Sequence, residues 1–283
     1  MVVDAISALI RGLSFIALFQ AAGAAIFIAV FGHRLVTTLH RVRGLGFASA
    51  IAAIVLVAIH YALEAARMAG AFSGILDRSL QQLVFQSSIS AAWIGRTIGL
   101  VLIAGTIRRR GKVANLVSLI GAGAIVVAFL LVGHSKIHPD RGALWPLLVL
   151  HLAVVAFWFG SLLPLYAASK FEGAPVATGI VSDFSRIALR LVPVIFVAGL
   201  LMTLVLIERW ATFGEGYGLL LLGKIGGFAA LMGLAALNKW RYGPALAQAD
   251  GNEAFQRTVA IEYLLICAVL MATAVMTSLF SPD

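Results

Sequence analysis

Eight long apolar stretches divide this chain and constrain its fold more than any other feature of the sequence. Each is close to, or longer than, the ~20 residues that an α-helix needs to cross a bilayer. Hydrophobic residues make up 61% of the 283 residues, charged residues make up 12%, and the mean hydropathy is +1.02. A water-soluble domain of this length has no core large enough to bury so much apolar surface. The sequence therefore predicts a membrane protein.

Helices are the expected form of the spans, because a helix satisfies its backbone polar groups within one segment of chain. The short alternating segments of a membrane β-barrel do not occur. We predict an all-α polytopic membrane helical bundle of about eight transmembrane helices, forming one domain over 1–283 with four-helix halves at 1–140 and 141–283. The short connections indicate that no soluble domain is inserted. The predicted spans are 4–31, 44–69, 81–107, 113–134, 145–169, 185–208, 217–240 and 257–280.

The distribution of basic residues predicts how the chain is oriented. Thirteen of the 21 Lys and Arg residues fall at one set of span ends, five at the other set, and three inside spans. By the positive-inside rule the rich set is cytoplasmic, which places both termini outside, on the periplasmic side. The net charge of +9 is then explained by contact with anionic membrane lipid, and it does not indicate a nucleic-acid partner.

Four of the six histidines are predicted to lie at the outer level of the membrane. His60 is in the outer part of the second span, His134 and His138 are at the end of the fourth, and His151 is about two turns into the fifth. The remaining two histidines, His33 and His40, lie in a basic inner loop. Since ionisable residues at membrane depth are costly, the outer four are candidates for function.

Imidazole, thioether and carboxylate groups at one level form a set that suits a transition metal. Glu64 follows His60 by one helical turn, and it is a candidate ligand, a hydrogen-bond acceptor for an imidazole or a proton acceptor. Two interpretations of His60 and His151 remain, namely metal ligation and hydrogen bonding between helices. Three methionines at the same predicted level are candidate supporting ligands or packing residues: Met68, Met202 and Met276.

Three basic residues fall inside predicted spans: Arg11 in the first, whose side chain is expected to extend outward, Arg96 in the third and Lys224 in the seventh. The last two are the deeper. They are expected to pair with carboxylates or helix-end carbonyls, or to bind an anion, and Glu262 is one candidate partner. No Ser/His/Asp set and no HExxH motif occurs, so the sequence predicts no enzyme. Cys267 is the only cysteine and is expected to be a small buried residue.

Several segments of the second half resemble the copper resistance protein D (CopD) family. The segment from His151 to Trp158 and Gly160 resembles the His…Trp-x-Gly-x-Leu helix of that family, and Gly133-His134 resembles its Gly-His segment. The resemblance covers roughly residues 130–245. The other matching segments are FSRIA at 184–188, AGLL at 198–201, YGLLLLGK at 217–224, AALNKW at 235–240, and Pro244.

This resemblance implies a multi-pass copper transport protein of the bacterial inner membrane, often alongside a small periplasmic copper-binding partner of the CopC type. The transported ion would be copper as Cu(I) or Cu(II), bound at a periplasm-facing site. Of the candidate residues, His134, His151 and Trp158 match family motifs, whereas His60 and His138 are included because of their predicted position at the outer level of the membrane. Two alternatives remain at this point. One is a b-type cytochrome with haem between paired histidines, and the other is a copper sensor or assembly factor that binds the metal without translocating it.

Overall fold

The computed structural model describes residues 2–132, 141–206, 216–246 and 251–279, and these residues are helical nearly throughout. Seven of the described helices are long and apolar enough to cross a membrane. An eighth long helix, Gly216–Leu237, has 22 residues and matches the predicted span 217–240. The described helices are α1 Val2–Phe31, α2 Leu39–Ala69, α3 Arg78–Gln86, α4 Ser88–Thr106, α5 Lys112–Val127, α6 Arg141–Phe171, α7 Ala174–Leu206, α8 Gly216–Leu237 and α9 Gly251–Leu279.

Shorter helical turns occur at three connections. A 3₁₀ turn, Phe72–Leu76, precedes α3, and a second, Ala128–Leu131, continues α5. A π-helical turn, Asn238–Tyr242, follows α8 directly. The predicted all-α membrane bundle is confirmed, whereas its division into halves at residue 140 stays a prediction, as does the side of the membrane on which the termini lie.

The predicted span 81–107 is wrong at its beginning, because the helix is interrupted at Ser87, between α3 and α4. Ser87 is extended, with ψ of 171°, and its hydroxyl accepts a hydrogen bond from the amide of Ile89 at 3.2 Å. Asp77 caps α3 in the same way, through the amides of Ser79 and Leu80. The Ser87 hydroxyl satisfies an amide that a continuous helix would otherwise pair, so two helices form where hydropathy suggested one.

Helix α7 begins eleven residues before the predicted span 185–208. Its first turns carry buried apolar residues at the helical spacing of positions 177, 180, 181 and 184. Pro175 lies in the first turn, where the missing amide hydrogen costs nothing. Hydropathy missed these turns because their other face is polar.

Helix α1 is the centre of the bundle. Its apolar window is 72% buried, whereas those of the other six spans are 17–44% buried. It packs against α2, α5, α6 and α9, which joins the first and second halves of the chain. The closest approach is between Gly23 of α1 and Gly160 of α6, where a side chain built on Gly160 would place its Cβ 2.4 Å from the Cα of Gly23. Only glycine permits this contact.

Hydrogen bonds tie together helix ends at both ends of the bundle. We call the end that carries the 32–38, 107–111 and 172–173 connections the basic end, and the other the histidine end. At the basic end, one oxygen of Glu172 accepts bonds from the amides of Val36, Thr37 and Thr38 at 2.8–3.1 Å. At the histidine end, Arg11 donates to Thr277 and Ser278 at the end of α9.

We predict that Gly160→Ala strongly destabilises the protein. The added methyl group would meet the backbone of α1, which cannot move away without opening the central interface, and overpacking of this kind costs about 1–3 kcal/mol or more. The measurement is the thermal unfolding midpoint in detergent. Gly105→Ala is the matched control, because a Cβ on Gly105 meets nothing within 4 Å. An equal midpoint for the two variants would contradict the prediction.

Glu172 is expected to make stability depend on pH. Burial raises the pKa of its carboxyl group, but the hydrogen bonds from Thr38 and Thr37 outweigh burial, and the net pKa lies below the ordinary 4.5. The stabilisation is therefore complete above the unfolded pKa and is lost as pH falls through the folded pKa.

The Glu172→Ala variant should thus unfold at a lower temperature than the wild type at neutral pH, and the difference should shrink in acid. Thermal unfolding in detergent between about pH 7 and about pH 3 measures this. The exposed Glu253 provides the control substitution, Glu253→Ala. If the difference in unfolding temperature between the wild type and Glu172→Ala is the same in acid as at neutral pH, then the charge of Glu172 does not stabilise the fold.

Candidate functional site

His60 lies inside the bundle near the histidine end, on α2. Its Nε2 is 3.5 Å from Oε1 of Glu64, one turn further along the helix, and both side chains are largely buried. The contact lacks hydrogen-bond alignment, and Nε2 has no hydrogen-bond partner among the described residues. The neighbouring ring of Tyr61 stacks on Trp93 of α4 at 4.9 Å, which fixes α2 against α4 at this level. The backbone beside His60 is therefore fixed by packing, and the Nε2 atom of its imidazole is not engaged in a hydrogen bond among the described residues.

Three guanidinium groups lie close enough to His60 to act on its charge, and they belong to Arg11, Arg67 and Arg96. Arg67 contacts both carboxylate oxygens of Glu64 at 3.3 Å and an oxygen of Asp4 at 3.5 Å. Arg67 also donates to the carbonyl of Ser278 at 3.3 Å. Glu64 is therefore shared between an arginine and a histidine, and it is the acceptor through which a cation could enter this network.

Arg96 has a different environment from the one the sequence suggested. Its side chain is 8% exposed and lies over the ring of Phe129, with 4.3 Å from guanidinium carbon to ring centroid. Its Nε has no hydrogen-bond partner in the described part of the chain. The suggested pairing with Glu262 is wrong, because that carboxylate binds Asn238 instead. Arg96 is held by a cation–π contact rather than by a carboxylate.

His151 lies between α6 and α7. Its Nδ1 is 3.4 Å from the carbonyl oxygen of Ile195, and the Cα of Gly199 lies beside the ring, where an added Cβ would be 3.7 Å from Cε1. Lys224 of α8 is close enough for its charge to act on the ring. An Nδ1–H donated to Ile195 would leave the Nε2 lone pair free, which is the arrangement that metal-binding histidines use.

The two candidate histidines in the described part of the chain have different environments. Arginines of α1, α2 and α4 act on the charge of His60, whereas His151 contacts α7 and feels the charge of Lys224 on α8. Within residues 2–132, 141–206, 216–246 and 251–279, no three His, Cys, Asp or Glu side chains come together in a group that could hold a metal. His134 and His138 lie outside the described residues, so the four-histidine site stays a prediction.

The supporting residues are distributed unevenly. Met68 is 56% exposed on the outside of α2, whereas Met276 is buried in α9 and Met202 is half-buried in α7. Trp158 is buried two turns from His151, and its side chain lies beside Glu262. Of the predicted supporting residues, only Glu64 contacts a candidate histidine in the described structure.

A buried polar network went unrecognised at the sequence level. Asn238 donates from Nδ2 to Oε1 of Glu262 at 2.6 Å, and the hydroxyl of Thr258 donates to the side-chain oxygen of Asn238. The available signal was the spacing of Thr258 and Glu262, four residues apart and hence on one face of an otherwise apolar helix. Their partner Asn238 comes from a distant segment, which no periodicity shows.

Comparison with known proteins gives a consistent family relationship. The family model for copper resistance protein D matches residues 178–276, and the model for the copper resistance protein D-like N-terminal domain matches residues 2–145. The motif resemblance at 130–245 thus covered only part of the related sequence. Copper resistance protein D of Pseudomonas syringae pv. tomato is 28% identical over 217 residues, covering 71% of this chain and 70% of that protein.

No solved structure shows a significant match. The N-terminal model alone spans about half of the chain, and it includes α1, α2 and the His60–Glu64 pair. The C-terminal model spans α8 and most of α7 and α9. This chain therefore belongs to the copper resistance protein D family and is a multi-pass copper resistance membrane protein.

Proposed function

We propose that this protein binds copper at the histidine end of the bundle and moves it across the bacterial inner membrane. The observation that carries the proposal is the buried Nε2 of His60, which has no hydrogen-bond partner in the described structure and lies 3.5 Å from Glu64. Buried polar atoms without partners are rare in proteins, and each needs an explanation. A metal ligand provides one, since neutral imidazole is the commonest protein ligand of transition metals.

Copper binding at His60 requires that Glu64 be available. In the described structure Glu64 also contacts Arg67, which has Asp4 as a second acidic neighbour. An arriving copper ion would replace Arg67 at Glu64, and Arg67 would keep Asp4 and the Ser278 carbonyl. This exchange lets a cation enter a region that holds three guanidinium groups without leaving an arginine unpaired.

His151 supplies a nitrogen ligand at a second position on the path of the ion in this proposal, and His134 and His138 supply further ligands from the connection between α5 and α6. A set of histidine with carboxylate favours Cu(II), and the addition of Met276 or Met202 would favour Cu(I). We place this end on the periplasmic side, where copper would arrive from a separate donor such as a periplasmic protein of the CopC type. The basic end would then face the cytoplasm and its anionic lipid.

The haem alternative has less support. A bis-histidine haem needs two rings that face each other across one cavity. The arginines that act on the charge of His60 belong to α1, α2 and α4, whereas His151 contacts α7 and feels the charge of Lys224 on α8. The copper proposal does not need a shared cavity, because a transported ion can pass from one site to the next.

We expect His60→Ala and His151→Ala each to weaken copper binding about tenfold or more, since each removes a ligand. Glu64→Gln should give a smaller loss in the same direction. Chelator competition on detergent-purified protein measures the affinity, and X-ray absorption reports the ligand types. His33→Ala and His40→Ala are matched controls, because both histidines are exposed at the basic end. Wild-type affinity in the His60 and His151 variants would refute this site.

Proteoliposomes separate a transporter from a copper-binding sensor or assembly factor. We expect wild-type protein to take up copper into vesicles, and His60→Ala to reduce uptake by about the same factor as it reduces affinity. Vesicles that contain His40→Ala protein should behave as the wild type does. Tight copper binding without uptake would instead support the sensor or assembly-factor alternative.

A further inference from the structure

A carboxyl group without a cationic partner is buried in the half of the bundle nearer the basic end. Glu262 of α9 is 3% exposed, and it lies eleven residues beyond Gly251, or about 16 Å along the helix axis. Asn238 donates to its Oε1 at 2.6 Å, and the indole of Trp158 lies beside the same carboxyl group. The neighbours of the group from α6 and from the π-helical turn are thus neutral.

The orientation of Asn238 is fixed by a second bond. The Thr258 hydroxyl donates to its side-chain oxygen, which leaves the amide hydrogens to face Glu262. Three side chains from two segments therefore form one ordered network around the carboxyl group.

None of the charged or titratable groups on the elements packed against α9 forms an ion pair with Glu262 in the described structure. Cations of the basic end contact rings instead: Lys170 lies over Phe171, and Arg241 over Tyr242. These charged or titratable groups are Asp4 and Arg11 of α1, His151, Tyr166 and Lys170 of α6, Lys224 of α8, Lys239, Arg241 and Tyr242 of the π-helical turn, and Glu253, Arg257, Tyr263 and Cys267 of α9.

An ionised carboxylate at this depth with no cation beside it is costly, and proteins avoid that cost by protonating the group or by supplying a cation. The Asn238 amide nevertheless stabilises the carboxylate, so both forms of the group are accessible. The turn that begins at Asn238 also carries Lys239 and Arg241, and basic side chains mark the level at which a membrane helix meets water. A π-helical turn inside a helical segment is frequently found at a functional site.

We propose that Glu262 is a proton-binding site within the membrane, exchanging its proton with the basic end of the bundle through the turn that begins at Asn238. The site takes a proton whatever ion the histidine end binds, so it stands apart from the copper proposal. In a transporter, a carboxyl group of this kind supplies the proton that is coupled to the movement of another ion.

Labelling with dicyclohexylcarbodiimide tests the site directly, because this apolar reagent modifies protonated carboxylic acids in membrane interiors. The full-length protein is labelled in detergent without copper at about pH 6 and about pH 9, and peptides are then analysed by mass spectrometry. Glu64 is the matched control within the same chain, since it is also buried but has Arg67 at 3.3 Å. We expect a Glu262 adduct several-fold more abundant at the lower pH, and little adduct at Glu64.

Two variants sharpen the result. Glu262→Gln keeps the shape of the side chain and should abolish the adduct on that peptide. Asn238→Leu removes a donor that favours the carboxylate, so the Glu262 adduct should persist to higher pH than in the wild type. Absence of a Glu262 adduct at both pH values would overturn the proposal, as would labelling that is equal at both, because neither is compatible with a group that exchanges its proton.

Discussion

The contact between Gly23 and Gly160 is the constraint on which the rest of the structure depends. Lipid provides no hydrophobic driving force between helices, so close packing of backbones has to hold a bundle together. At this crossing the backbones of α1 and α6 meet with no side chain between them, and Gln20 donates to the carbonyl of Gly160 at 3.1 Å. Gly99 and Gly121 repeat the arrangement between α4 and α5. The central position of α1 follows from the first of these contacts.

Because α1 is central, both ends of the bundle are organised around it. At the histidine end, Arg11 of α1 reaches the last turn of α9, and Arg67 of α2 joins the same turn to Glu64. At the basic end, the Glu172 carboxylate accepts hydrogen bonds from three amides in the turn that follows α1. The polar groups of each end therefore form networks that span distant parts of the chain.

Hydropathy and basic-residue placement were sufficient to predict an all-helical membrane bundle, because the cost of exposing backbone to lipid leaves few alternatives. They were insufficient at Ser87, where a hydroxyl replaces a helical hydrogen bond, and at α7, whose first turns are amphipathic. The proximity of Glu64 to His60 was predicted from helical spacing, since residues four apart in a helix share a face. The placement of Arg67 and Arg96 around them could not be predicted, because it depends on how three helices pack.

The sequence by itself determined that this chain is a membrane protein and that its positive charge is concentrated at one set of helix ends. It also contains motifs that resemble those of a copper resistance family. These properties depend on composition and local order. Tertiary structure alone decided which polar groups meet. It separated the surroundings of His60 from those of His151, gave Arg96 an aromatic ring instead of a carboxylate, and brought Asn238 to Glu262. Such pairings depend on helix packing at glycine contacts, and chain order does not specify them.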